Sequence, residues 1–96
     1  MRIFNTLYIL TMSYKKIYLD HFGYTEADWI PCEVCRKTAV DIHHIKARGM
    51  GGSKKADFIE NLMALCRSCH IKYGDKKQYV EFLIEKHNAL LQRNSS

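Results

Sequence analysis

The chain lacks an apolar run long enough to cross a membrane. Its N-terminal stretch, residues 3–12, is mostly apolar, but it is far shorter than the ~20 residues of a spanning helix and Asn5 and Thr6 interrupt it. No small-residue cleavage site follows it, so it reads poorly as a signal peptide. An element packing on the core or a frayed segment is the plainer expectation. Met12 offers a second start, because Ser13-Tyr14-Lys15-Lys16 is an ordinary polar opening. Residues 1–11 are accordingly expected to be dispensable, and a chain starting at Met12 should fold and function. Repeats and low-complexity tracts are also missing, which excludes a solenoid or a linker-rich protein. Only Asn94-Ser95-Ser96 reads as a disordered tail. At 96 residues there is room for one small domain and a limited core. Domains of this size commonly need a metal or disulfides.

Four cysteines are present, as two Cys-x-x-Cys pairs: Cys32 with Cys35, and Cys66 with Cys69, 30 residues apart. Two knuckles so spaced read as one structural zinc site. Two disulfides would suit a secreted chain, for which the N-terminus gives little support. A redox dithiol would need no second pair.

Charge is unevenly placed. The formal net charge is +5, and residues 32–74 carry +4 of it. The excess sits on the cysteine- and histidine-bearing segment, which suits a polyanionic partner such as nucleic acid.

The pattern of elements is α+β. Residues 13–22 read as a helix, with Tyr14, Ile17 and Tyr18 on one face and Gly23 ending it. Residues 38–45 read as a strand and 46–57 as a loop holding Gly49, Gly51 and Gly52. A short second strand over 61–65 is expected, then a helix over 67–73 stopped by Gly74. Asp75 is placed to cap a final helix reaching about residue 92. Its stripe of Tyr79, Val80, Leu83, Ile84, His87, Leu90 and Leu91 reads as core or as a partner-docking face. His87 on it reads as a packed histidine, not a ligand.

The chemistry lies in Asp41-Ile42-His43-His44-Ile45, then Asn61-Leu62, then Cys66-Arg67-Ser68-Cys69-His70. Zinc joining the two knuckles would draw the strand's histidines toward His70. Two imidazoles can hold a divalent cation with open positions. A third, unligated, is suited to take a proton from water near neutral pH. Base, metal and basic rim together are the parts of a phosphodiester hydrolase.

From about residue 31 to 74 this segment resembles the HNH endonuclease family. The resemblance is carried by His43-His44-Ile45, Gly51-Gly52, Asn61-Leu62 and Leu65-Cys66-x-x-Cys69-His70. His44 to Asn61 leaves 16 intervening residues and Asn61 to His70 leaves 8, and both gaps suit the family. The resemblance implies a β-hairpin and helix around one catalytic metal, flanked here by N-terminal and C-terminal helices within a single domain. It implies His44 as the general base, His43 and His70 as ligands of an Mg2+, Mn2+ or Ni2+ ion, and Asn61 as a brace for the loop. The substrate would be DNA, cut to leave a 5′ phosphate and a 3′ hydroxyl, in a bacterial or phage-infected cytoplasm.

Asp41 shares a strand face with His43, so it could orient a histidine or reach the metal itself. Adjacent His43 and His44 should point to opposite strand faces, so one site using both calls for a bulge or twist. Lys46, Arg48, Lys54 and Lys55 in the loop, and Arg67 and Lys72 on the helix, are phosphate-contact candidates, each also readable as a solvated charge. Trp29 and Phe22 are expected to pack on the zinc module, and His21 to lie at the surface. With no separate DNA-reading domain, strong selectivity would need a homodimer or a partner protein on the final helix. The competing reading is a non-catalytic zinc-knuckle module that binds nucleic acid or protein. Nothing in such a module requires His43, His44, Asn61 and His70 at these gaps.

Overall fold

The segment Leu62–Leu65 is apolar at every position, and all four side chains are buried. A strand covered on both faces reads this way, because alternate side chains must enter two different apolar layers. In the computed structural model, which describes residues 13–46 and 56–95, this is strand β2. It pairs antiparallel with β1 (Asp41–His44), in the register Asp41↔Leu65, Ile42↔Ala64, His43↔Met63 and His44↔Leu62. Three helices complete the architecture among the described residues: α1 (Ser13–Phe22), α2 (Arg67–Tyr73) and α3 (Val80–Ser95). The fold is the α+β arrangement expected. Residues 1–12 and the loop positions 47–55, with Arg48, Lys54, Lys55 and the three loop glycines, lie outside the described residues.

Leu62 and Ala64 face α1, where Tyr18 is buried with them. Met63 and Leu65 face the cysteines and Leu83 of α3. The expected stop of α1 holds: Gly23 has φ 75°, and Tyr24 N–H donates to Leu19 O at 2.8 Å. The first strand is shorter than residues 38–45. Thr38 bridges to Pro31 and Ala39 N–H donates to Ile30 O at 2.8 Å, so this stretch closes the first knuckle before β1 begins. α3 starts at Val80, behind a 3-10 turn at Lys77–Tyr79, and Asp75 does not cap it. Asp75 has φ 57°, and that sharp turn ends the path of α2 before α3 begins. The Lys76 ammonium donates to the exposed carbonyls of Ile71 and Lys72.

Two expectations about aromatic packing fail. Trp29 is 60 % exposed, held at the surface by its indole N–H donating to Thr38 Oγ1 at 2.9 Å. Phe22 packs on Tyr18, 4.7 Å between ring centroids, in the α1 layer and away from the cysteines. His21 is exposed, edge-on to Phe22.

A buried polar hub ties the layers together. His87 of α3 is fully buried; its Nδ1 lies 2.7 Å from Glu33 Oε1 and its Nε2 2.6 Å from Ile59 O. Both neighbours accept, so the ring donates from both nitrogens and is an imidazolium. Burial alone would lower its pKa; the Glu33 carboxylate outweighs burial and holds it above the ordinary histidine range. The other Glu33 oxygen accepts from Tyr18 O–H at 2.6 Å and from Ala64 N–H at 3.2 Å. Burial and the charge of Glu33 raise the Tyr18 phenol, so it stays a donor. One carboxylate beside Cys32 thus joins α1, β2, α3 and the first knuckle.

Removing one partner of a buried pair leaves a charge without compensation. His87→Ala is therefore expected to cost roughly 3–5 kcal/mol in urea unfolding of the zinc-loaded protein. The linkage has a definite sign. Because the folded pKa is raised, the His87 contribution is complete below the unfolded value of about 6.5 and is lost as pH rises through the folded pKa. The stability gap between parent and variant should narrow with rising pH. A gap that widened would refute the doubly donating ring.

Candidate metal and catalytic site

Each knuckle turns because backbone amides close on it. Arg36 N–H donates to Cys32 O at 2.9 Å, closing the turn that holds Cys35 near Cys32, and the left-handed Arg36 at φ 73° then redirects the chain. The second knuckle opens α2, where Cys66 Sγ accepts from Cys69 N–H at 3.4 Å in the N-cap position. The four Sγ atoms lie within 4.8 Å of one another, and all four thiols are free. Cys35 and Cys66 sulfurs lie 3.5 Å apart, far longer than the ~2.05 Å of a disulfide. A tetrahedral zinc with Zn–S near ~2.3 Å holds its sulfurs about 3.8 Å apart, so this spacing fits a tetrathiolate site. Burial pushes the Cys32 thiol up, but backbone hydrogen bonds around its sulfur outweigh burial and bring it to about 7. Burial and the neighbouring sulfurs push Cys69 up. A cation resolves this crowding by letting all four sulfurs ionise.

The second cluster is His43, His70 and Asp75, whose ligand atoms also lie within 4.8 Å of one another. His43 is 4 % exposed, and its Nε2 is buried with no hydrogen-bond partner among the described residues. Leaving such a nitrogen unmatched is costly unless something fills the site. Burial, and then the nearby His70, hold the His43 pKa below its ordinary value, which keeps a lone pair available. Asp41 Oδ2 lies 2.9 Å from His70 Nδ1, so His70 donates there and leaves Nε2 as its free nitrogen. Arg67 approaches the same Asp41 oxygen at 3.8 Å. Gly74 makes this closeness possible: a Cβ there would meet the His70 ring and carbonyl at 2.5 Å and the His43 ring at 3.3 Å. The donor set of two imidazoles and a carboxylate fits a divalent cation with open positions. Asp75, one residue past this glycine, lies with the two histidines and is not the helix cap that its position in the sequence suggests. The signal that could have identified it is an acid directly behind the glycine that closes the helix bearing His70.

His44 is not part of that cluster. The β1 register runs from Asp41 to His44 without a bulge, so the two histidines leave opposite faces. His43 meets His70, with ring centroids 4.8 Å apart, and His44 meets Tyr14 of α1 at the same separation. Its Nε2 lies 2.7 Å from Asp57 Oδ1. Sequence reasoning missed Asp57 altogether. Asn61 is buried; its Oδ1 accepts from Lys46 N–H at 2.8 Å, and its Nδ2 donates to Lys46 O at 2.9 Å and Ala56 O at 3.0 Å. It thereby ties together the residues flanking 47–55. Lys46, Arg67 and Lys72 are exposed, with the Lys72 ammonium over the Tyr73 ring.

Residues 32–76 match the HNH endonuclease family model. The HNH segment therefore begins at the first cysteine of the zinc-type cluster and ends just past Asp75, enclosing both groups that could hold a metal ion. No curated protein and no solved structure matches the chain. No helix among the described residues is long and apolar enough to cross a membrane.

Proposed function

We propose that the protein is a metal-dependent endonuclease that hydrolyses DNA phosphodiesters, leaving a 5′ phosphate and a 3′ hydroxyl. The observation that carries this reading is the buried Nε2 of His43, without a hydrogen-bond partner among the described residues and beside His70 and Asp75, within the HNH segment. His43, His70 and Asp75 would hold Mg2+, Mn2+ or Ni2+, with Asp41 orienting His70. The bound cation supplies positive charge for the scissile phosphate and its leaving oxygen. His44 takes the proton of the attacking water. Asn61 holds the loop ends against β1, and Lys46, Arg48, Arg67 and Lys72 attract the phosphate backbone. The cysteines hold zinc, which has a structural role.

The opposite headings of His43 and His44 determine how a substrate lies. The outer edge of β1 has no strand partner among the described residues. A phosphodiester at that edge would have the cation-holding residues His43, His70 and Asp75 on one side and His44 on the other. A second copy or a partner protein on α3 would add site selectivity.

Supercoiled plasmid with added magnesium, manganese or nickel tests the reading. Nicking should appear with at least one of these ions and stop when the ion is chelated. A zinc-loaded protein that binds the plasmid yet cuts with none of them is the non-catalytic module.

A further inference from the structure

We propose that Asp57 is the positioning residue for His44, selecting Nδ1 as the atom that accepts the proton. This rests on the nuclease reading above and deepens it. The Asp57 side chain is 4 % exposed and that of His44 14 %, so the 2.7 Å contact between them is largely shielded from water. A carboxylate only accepts, so the Nε2 of His44 carries the hydrogen and donates it. In the neutral ring the lone pair then lies on Nδ1. The Tyr14 ring, tilted 48° against the imidazole at 4.8 Å, limits rotation of the ring.

The backbone delivers Asp57 independently of the loop tip. Ala56 O, immediately before it, is held by Asn61 Nδ2 at 3.0 Å. Phe58 O, immediately after it, accepts from Asn61 N–H at 2.8 Å. Asn61 O in turn accepts from Ile45 N–H at 2.9 Å, next to His44 itself. The carboxylate and the imidazole therefore hang from one hydrogen-bonded frame, with Asn61 at its centre.

A third group that fixes the tautomer and heading of a base is a recurring device in hydrolytic sites. Here the water O–H bond breaks and its proton goes to Nδ1. The oxygen's electron pair attacks phosphorus as the bond to the 3′ oxygen breaks; that oxygen leaves with the bonding pair and takes a proton from solvent water to become the 3′ hydroxyl, and His44 later returns its proton to solvent. Asp57 keeps its charge throughout and takes no proton; it faces the imidazolium that forms.

The test uses the zinc-loaded protein and its Asp57→Ala and Asp57→Asn variants. Ring 15N shifts of His44, recorded without the second cation, should show hydrogen on Nε2 in the parent and in Asp57→Asn, whose amide oxygen can still accept. Asp57→Ala should show mixed tautomers. In plasmid cleavage Asp57→Ala should lose about 10–100-fold in kcat, part of the 10²–10⁴ a positioned base contributes, with KM changed by less than about twofold. Asp57→Asn should recover most of that loss. Hydrogen on Nδ1 in the parent overturns the proposal, and so does parental kcat in Asp57→Ala. The parent tautomer decides the matter even if Asp57→Ala fails to fold. A parent that cuts no DNA defeats the nuclease reading while the 15N result still reports on Asp57.

Discussion

Cys66→Ser is expected to leave the protein without zinc and without a cooperative unfolding transition. Cys66 is 6 % exposed and its sulfur serves twice, in the four-sulfur cluster and as the N-cap of α2. A serine oxygen can replace the cap but is a poor match for a soft thiolate position. The expected loss is large because structural zinc contributes on the order of 10–16 kcal/mol of apparent binding energy to folding. A small domain has only about 5–15 kcal/mol of net stability. Three of the four sulfurs are buried in the same layer as Ile45, Met63, Leu65 and Leu83, so the metal site forms part of one of the two cores. Elemental analysis should find one zinc per parent chain and none in the variant, and circular dichroism should show lost structure. Chelation of the parent should have the same effect and added zinc should reverse it. A Cys66→Ser protein that unfolds at the parental urea concentration with no metal bound would refute the staple.

The features legible in the sequence were those with a spacing. Paired cysteines, the run of buried residues in β2 and the stop at Gly23 each follow a local rule about turns, periodicity or ligand geometry. What escaped was single acidic residues whose meaning depends on distant chain. Glu33 lies between two knuckle cysteines and looks like a solvated turn residue; only α3, returning 54 residues later, supplies its histidine. Asp57 gains significance because Asn61 draws residues 56 and 46 together. Asp75 required a left-handed backbone turn to bring its carboxylate toward His43 and His70. Trp29 was misjudged for a different reason. Large aromatic side chains usually bury, but a hydrogen bond to Thr38 holds this one at the surface. The expected bulge at His43-His44 arose from assuming that one site must lie on one strand face. β1 is instead regular, and its two histidines leave opposite faces, His43 toward His70 and His44 toward Tyr14.

His43→Ala and His44→Ala should both suppress DNA cutting, but through separable failures. His44 is outside the metal-binding cluster, so His44→Ala should retain parental affinity for manganese or nickel at the histidine site. Its cutting rate should fall about 10²–10⁴-fold, the usual contribution of a positioned base, and more metal should not restore it. His43→Ala removes a cluster member and should weaken the divalent site at least about 10–100-fold, the cost already seen when only an outer partner is lost. Its cutting should recover in part as the metal concentration rises. Stability gives a third discriminant. Among the described residues the buried Nε2 of His43 has no hydrogen-bond partner, so the histidine side of the fold carries a polar cost when no cation is present. Removing the ring relieves that cost while opening a small void beside Gly74. Zinc-loaded His43→Ala should therefore lose little stability when the second metal is absent, and should lack the stabilisation that manganese gives the parent. Calorimetric titration and urea unfolding with and without manganese measure both quantities. If His44→Ala cuts like the parent, His44 is not the base. If His43→Ala binds manganese like the parent, the cation does not sit with His70 and Asp75.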